Sequence, residues 1–570
     1  MKKYENIKGT EALLISLIEN GVDTIFGYPG GTIMPFYDDL YDHADKINHI
    51  LVRHEQGAVH AAEGYARSTG KVGVCVATSG PGATNFVTGI ADAMMDSTPI
   101  VCITAQINAD KLGTNFFQEA DMVGITRPIT KWNYQITSAS EIAETMARAF
   151  WIAKSGKPGP VVISITKNAQ TERTDFCYNP EELLKGVATE KPKATEEEIR
   201  KAAELLNGAK RPLIVAGHGV VIANAEKELE ELAEKGNIPV ATTLLGISAL
   251  PSDSEKLVGT VGMHGNIAPN AMTQEADVLL AVGMRFSDRV TGETHGYARK
   301  AKIIHIEIER AEIDKNIKSD LAINADAKET LGQIAKLIEY RDRQEWFDFA
   351  KKENDYEYQK IIAPELNSSD YISMGQVVAK VSQKTDAGAI VVTDVGQNQM
   401  FSARYSKFKH SRSWVTSGGL GTMGFGLPAA IGAKIGNPER EVIAIVGDGG
   451  FQMNIQELGT VMQSKIGVKI VLMNNHFLGM VRQWQELFYD KRYAFTRLDN
   501  PDFQKVASAY GIASERVLNP ADLDGAVERM LKSPGAYLLE VAVKEEENVF
   551  PMIPAGATLS DIIYEKPEKK

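Results

Sequence analysis

The apolar run Val442-Ile443-Ala444-Ile445-Val446 leads straight into Gly447-Asp448-Gly449-Gly450, and Asn474-Asn475 follows after 24 residues (450 to 473), at the end of a second apolar run. Neither run alternates with polar residues, so each reads as a buried parallel strand. The segment between them, rich in Gln, Glu, Leu and Met, reads as the crossover helix. The result is a βαβ unit with both strand ends on one rim of the sheet, where open α/β sheets bind ligands. Asp448 and Asn475 can therefore meet. A carboxylate and an amide oxygen suit Mg²⁺, which keeps one or two protein carboxylates and takes phosphate oxygens for the rest. Gly449 and Gly450, at the mouth of the helix, let backbone N–H groups approach an anion. Gly-Asp-Gly alone fits many tight turns, so its spacing to Asn-Asn carries the reading.

A chain of 570 residues is too long for one core and suits about three domains. Net charge is −12 with no dense basic cluster, which argues against nucleic acid and anionic membrane as partners. A phosphate ligand must then be held locally, by glycine backbone and a metal. Cys75, Cys102 and Cys177 lack zinc-site spacing, and the first two lie in strand-like runs, so they read as buried reduced thiols. No apolar signal core opens the sequence and no run of 18 apolar residues occurs, so the expected compartment is the cytoplasm.

The fold class read from the pattern is α/β, with three doubly wound parallel-sheet domains. Residues 1–166 form the first, with strands expected at Thr24-Phe26, His49-Val52, Val72-Ala77, Ile100-Thr104 and Val161-Ile165. Glycine-dense loops follow at Gly27 to Gly31 and Ser79 to Asn85. Residues 167–194 read as a polar linker. The second domain, 190–342, opens on the capping box Thr195 and Glu198. Its strand Leu213-Ala216 runs into Gly217-His218-Gly219, a dinucleotide loop lacking its third glycine. Glu307 at a later strand end is placed to hold a ribose hydroxyl. About 341–367 reads as a second charged linker. The third domain, 370–545, opens with the capping pair Ser373 and Gln376, and its layout echoes the first. Residues 546–570 read as an extended arm.

The Gly447 to Asn475 string resembles the motif of the thiamin-diphosphate-dependent enzymes. Further strings narrow the resemblance: Phe26 to Gly31, Arg53-His54-Glu55-Gln56-Gly57-Ala58, Phe117-Gln118-Glu119, Arg285 to Gly292, Gly418 to Pro428, Gly479 to Gln485 and Val549 to Ala557. Over nearly its whole length the chain is similar to the catalytic subunits of acetohydroxyacid (acetolactate) synthases. That resemblance implies pyrimidine-binding, FAD-binding and diphosphate-binding domains, with thiamin diphosphate, Mg²⁺ and a non-redox FAD as cofactors. It also implies a homodimer or homotetramer with a small regulatory subunit.

Residue by residue, the resemblance makes Glu55 the group that shares a proton with the cofactor's aminopyrimidine, with Gln118 beside the thiazolium and Lys131 as a further catalytic group. Glu55 and Asp448 of one cofactor would come from different subunits. Thiamin diphosphate would also meet Gly30, Gly31, Pro81, Asn85, Val395, Gly396, Gln397, Asn398, Gly421, Met423, Gly449, Gly450 and Met480. Met423 would be the wedge beneath the bent cofactor, and Asp448, Asn475 and the carbonyl of Phe477 the metal ligands. FAD would contact Gly217, Gly219, Thr242, Thr243, Leu244, Met263, His264, Gly283, Arg285, Asp288, Arg289, Glu307 and Asp326. Phe117 and Trp484 would face substrate. Asn398, His476 and Ser287 depart from the family pattern. An Asn at 398 can donate an N–H to phosphate but cannot bring positive charge.

The activity implied is decarboxylation of pyruvate and ligation of the remaining two carbons to pyruvate or 2-oxobutanoate, in branched-chain amino-acid synthesis. A flavin-linked pyruvate oxidase, a flavin-free acetolactate synthase and a nucleotide-sensing binding protein share parts of these motifs. The Arg285 to Arg289 string argues against the flavin-free form, and Glu55, Asp448 and Asn475 together argue against a protein without catalysis.

Overall fold

The computed structural model describes residues 3–187 and 190–566. Three six-stranded sheets, parallel throughout, occupy successive thirds of the chain. With strands counted along the chain in each six-stranded sheet, the first and third sheets share the spatial order 2-1-3-4-6-5, and the middle sheet runs 3-2-1-4-5-6. The first and third domains therefore echo each other in topology as well as in layout. Each sheet is buried between two apolar clusters, which is why its central strands read as unbroken Val, Ile and Leu runs. Cys75 and Cys102 lie in register on adjacent strands of the first sheet, buried and unbridged.

Strand order fixes where loops can open into a crevice. In all three sheets the order reverses beside the first strand, and loops leaving the strands on either side of that reversal diverge. The paired strands are Thr24–Tyr28 with Gly73–Ala77, Pro212–Ala216 with Val278–Val282, and Ile390–Thr393 with Val442–Gly447. Every glycine-rich string singled out above leaves one of these strands or faces it.

The domain limits need correction at both linkers. Within 167–194, a helix at Lys167–Thr171 and a strand at Arg173–Cys177 return to the first domain, the strand pairing antiparallel with Lys3–Lys8. Residues 188 and 189 of that segment lie outside the described residues. The stretch 341–367 is helical at Gln344–Glu357 and onward to Leu366. Its charged surface conceals a narrow buried stripe of Trp346, Ala350 and Glu357, and the Trp346 indole N–H donates to the Pro212 carbonyl at 2.9 Å. Both capping boxes form as expected. The C-terminal arm is irregular and spans two domains: Val549 N–H donates to Gln483, Ile553 N–H to the Met263 carbonyl, and Ala557 accepts from Glu293 N–H. No helix among the described residues is long and apolar enough to cross a membrane.

First and third domains are locked by two helices, Glu55–Thr69 and Gly426–Gly436. A side chain at Gly64 would lie 1.9 Å from the Ala429 carbonyl oxygen, and one at Gly432 would lie 1.8 Å from that of Ala61. The backbones touch because these positions have no Cβ. Gly64→Ala should therefore cost about 1–3 kcal/mol through overpacking, read as a lower denaturation midpoint. Gly535→Ala, where nothing lies within 4 Å, should leave the midpoint unchanged. Equal midpoints for the two variants would show that the helix contact carries no such constraint.

Candidate functional site

On the third domain's rim, the two loops at the strand reversal are organised by a buried carboxylate. Asp394 accepts backbone N–H bonds from Val395 at 2.8 Å, Gly424 at 3.1 Å and Gly426 at 2.9 Å. A Cβ at Gly450 would sit 2.1 Å from its oxygen. The bare backbone expected at Gly450 to face an anion thus makes room for Asp394. Gly396 (φ 138°) and Gly421 (φ 74°) occupy backbone that side chains resist.

Asp448 opens the next helix and is buried. Burial pushes its carboxyl up to about 6, and the Asn500 amide donating at 2.7 Å opposes the shift. No lysine or arginine pairs with it among the described residues. Raising a carboxyl from its ordinary 3.8 to about 6 corresponds to about 3 kcal/mol for holding the unpaired anion, a cost that a cation would relieve. Asn475 stands at the end of the adjacent strand, its Oδ1 accepting from Phe477 N–H at 3.1 Å and its Nδ2 facing Gln397 at 3.3 Å. A buried carboxylate with no cationic partner among the described residues and an amide oxygen on the neighbouring strand end form a donor set that fits Mg²⁺. Asn500 was silent in the sequence, yet it bridges Asp448 and Asn474 and holds the two strand ends in register.

Both hydrogens of the Asn398 side-chain amide are spent on backbone, the Asp394 carbonyl at 2.8 Å and the Ile445 carbonyl at 3.1 Å. The side chain splices two strand ends, which leaves the backbone N–H in the first turn of the helix Gln397–Tyr405 to face an anion. Gln397 is also committed, to Gln483 and to the Glu547 carbonyl.

A cavity of about 750 Å³ runs from this rim into the middle domain. Val395, Gly396, Gly421, Met423, Met480 and Trp484 line one end; Gly219, Thr243, Leu244, Met263, His264, Gly283, Arg285, Asp288, Arg289, Glu307 and Asp326 line the rest. Gly217 and Thr242 stand behind the lining. Gly217 lets the loop approach Gly283, where a Cβ would be 2.3 Å from the carbonyl oxygen, and Thr242 meets Thr260 at 3.2 Å. Burial holds the Glu307 carboxyl up at about 7 and the His264 imidazole down at about 3. A neutral histidine and a carboxyl near its midpoint can each donate or accept toward a polar ligand. His264 Nδ1 and the Trp484 indole nitrogen are buried without a protein partner. Arg289 lies over the Trp484 ring at 5.9 Å. Orphaned polar atoms beside an Arg and acid-lined groove fit a dinucleotide cofactor such as FAD.

The remaining expected residues gather on the rim of the first domain. Glu55 starts its helix and accepts from the Asn85 amide at 2.9 Å. A Cβ at Gly82 would be 3.1 Å from the other Glu55 oxygen. Gly30 packs on Thr78, Gly31 is open, and Pro81 begins the short helix Pro81–Thr84. Gln118 lies against Gly80, and Phe117 beside it is 86% exposed. None of these residues lines the large cavity. Lys131 is tied to backbone within this chain. Its ammonium, lowered to about 8 by burial, donates to the Ile152 and Ser155 carbonyls and closes the helix Ile142–Lys154.

This arrangement of two topologically matched domains around a dinucleotide-type domain agrees with the family comparisons. Residues 7–125 match the N-terminal TPP binding domain of thiamine pyrophosphate enzymes, 199–334 their central domain, and 394–541 their C-terminal TPP binding domain. The fold is that of a thiamin-diphosphate enzyme. Among similar proteins, a Methanocaldococcus jannaschii protein described as "Probable acetolactate synthase large subunit" is 45% identical over 98% of this chain and 95% of its own. The acetolactate synthase isozyme 2 large subunit of Escherichia coli is 42% identical over 98% and 99%, and the large subunit of Lactococcus lactis 43% over 99% and 98%. The chain belongs to the acetolactate synthase large-subunit family of thiamin-diphosphate enzymes.

Because the Asp448 carboxyl sits near 6, protons should compete with the metal. Mg²⁺ affinity should be full above about pH 7 and fall by up to about tenfold per unit as pH drops below 6. Titrating metal into the protein across pH 5 to 8 checks this. Affinity that stays flat through pH 6, or survives Asp448→Asn, would take Asp448 out of the metal site.

Proposed function

We propose that the chain makes acetolactate as a dimer in which each catalytic centre draws on two copies. One observation carries the reading: Glu55, Asn85 and Gln118 do not line the cavity that Met423, Met480 and Trp484 share. The family's chemistry needs both sets at one cofactor, so the rim of one copy must complete the cavity of another. The "large subunit" in the relatives' names also supports a smaller regulatory partner.

In this reading Asp448, Asn475 and the Phe477 carbonyl hold Mg²⁺, which neutralises the diphosphate. Val395 and Gly396 would line the diphosphate's place, Gly421 would offer backbone to the pyrimidine, and Met423 would pack beneath the cofactor, all four lining the cavity. Thiamin diphosphate supplies the electron sink for losing CO₂ from a 2-oxoacid. Glu55 would hydrogen-bond the aminopyrimidine and exchange a proton with it, and the Asn85 amide, donating to Oε2, fixes the carboxyl's orientation. Trp484 walls the space for the second 2-oxoacid. The sum is two pyruvate molecules giving one acetolactate and one CO₂, with no net electron transfer. FAD, held by the middle-domain lining, therefore serves as structure and stays oxidised.

The two-copy arrangement makes a direct prediction. Glu55→Gln and Asp448→Ala chains should each be inactive alone. Coexpressed, half of the dimers would be mixed and each would carry one intact site, restoring about a quarter of parent activity. A mixture as inactive as its parts would place Glu55 and Asp448 of one chain at one cofactor.

Acceptor choice should depend on Trp484. Pyruvate and 2-oxobutanoate differ by one methylene, and an apolar contact of that size discriminates by roughly 1–3 kcal/mol, or about 10- to 200-fold. Trp484→Leu should flatten the preference while pyruvate decarboxylation persists. With both acceptors present, an unmoved ratio of 2-aceto-2-hydroxybutyrate to 2-acetolactate would leave acceptor choice to other residues.

A further inference from the structure

The helix that presents Glu55 begins against a carboxylate from another domain. Glu457, fully buried, accepts the backbone N–H of Arg53 at 3.0 and 3.2 Å and that of His54 at 3.0 Å. The Thr460 hydroxyl donates to it at 2.6 Å. Gly57, in the first turn of the same helix, leaves room for it: a Cβ there would be 2.5 Å from Glu457 Oε1. An anion thus sits at the N-terminus of a 15-residue helix, where it meets unpaired N–H groups and the positive end of the helix dipole. Burial pushes the Glu457 carboxyl up, and the Thr460 hydroxyl, the two N–H groups and the Arg53 charge oppose that. The Arg53 guanidinium is spent elsewhere, on the Leu51 and Gly459 carbonyls and Gln463. Glu457 ends the short 3-10 turn Ile455–Glu457 that follows the helix opened by Asp448. One continuous segment therefore has the metal ligand at one end and this cap at the other.

We propose that Glu457 is a positioning residue for Glu55, fixing the backbone from which the proton-sharing carboxyl projects. The inference rests on the role given to Glu55 above. Glu457 is fully buried and does not line the cavity, so it acts only by setting the direction and reach of its neighbour two residues past Arg53. Gln at 457 would keep the volume but remove the anion from the helix start, and its amide N–H would stand where Oε2 now accepts from the Arg53 N–H and the Thr460 hydroxyl. The helix start would then shift, and small displacements of a catalytic group cost far more in rate than in stability.

The test uses the full-length protein loaded with thiamin diphosphate and Mg²⁺, measuring deuterium exchange at cofactor C2 by NMR after acid quench. Cofactor affinity and the denaturation midpoint are read alongside. Glu457→Gln should exchange about 10- to 100-fold more slowly than the parent while cofactor affinity holds. Glu55→Gln with Glu457→Gln should exchange no more slowly than Glu55→Gln alone, because the second residue acts through the first. A parent-like rate in Glu457→Gln, or losses that multiply in the double variant, would overturn the assignment. Exchange at the parent rate in Glu55→Gln would instead overturn the role of Glu55, a separate failure. If Glu457→Gln does not fold, Gly57→Ala pushes the carboxylate off the helix start while keeping it: slowed exchange supports the proposal and an unchanged rate overturns it.

Discussion

Carboxylates buried against backbone N–H groups, with few cations to neutralise them, hold the working rims of this protein in place. Asp394 gathers the 395 and 424–426 backbone, Asp96 accepts Gly418 and Gly419 N–H groups at 2.8 and 2.7 Å, and Glu457 caps the Glu55 helix. Burying a charge is expensive unless it is hydrogen-bonded, and charge-assisted bonds to N–H groups are among the stronger ones. Glycine makes such packing possible because loop backbone can fold around an anion without side chains intervening. The same glycines that resemble ligand-binding loops are therefore partly internal structure: Gly450 yields to Asp394, and Gly419 to Asp96.

From that constraint the division of labour follows. The three sheets each reverse strand order beside their first strand, and each reversal opens a rim. The middle and third rims merge into one cavity because the 417–424 loop runs between them, tied to the first domain through Asp92, which accepts from Thr422 at 3.1 Å, and Asp96. The first rim points elsewhere. Its helix is locked against the third domain by backbone contact at Gly64 and Gly432, so it cannot swing toward the cavity of its own chain without breaking that contact.

Much of this was legible in the sequence. Unbroken apolar runs marked the central strands, and the Gly447 to Asn475 spacing placed the Asp448 rim because a βαβ unit has only one way to bring its strand ends together. Edge strands were harder: Trp132–Ile136 and Leu321–Asn324 are short, half-polar and held by a single neighbour. The helix Gln344–Glu357 hid behind charge because it buries only a narrow stripe. Asn500, Asp92, Asp96 and Glu457 left no local signal, since their partners lie 52, 330, 322 and 403 positions away in the chain. Residue type likewise gives no sign that the side-chain nitrogens of Asn398 and Lys131 are spent on backbone carbonyls.

If the cavity joins two 2-oxoacids without net oxidation, carbon and electrons must balance between pyruvate and product with the flavin left untouched. Purified protein given ¹³C-pyruvate, thiamin diphosphate, Mg²⁺ and FAD under anaerobic conditions puts this to the test, with products followed by NMR and flavin by absorbance. The expected result is one acetolactate and one CO₂ for every two pyruvate molecules, with the flavin spectrum still oxidised. Stoichiometric bleaching of the flavin without acetolactate would contradict it and mark the protein as an oxidase.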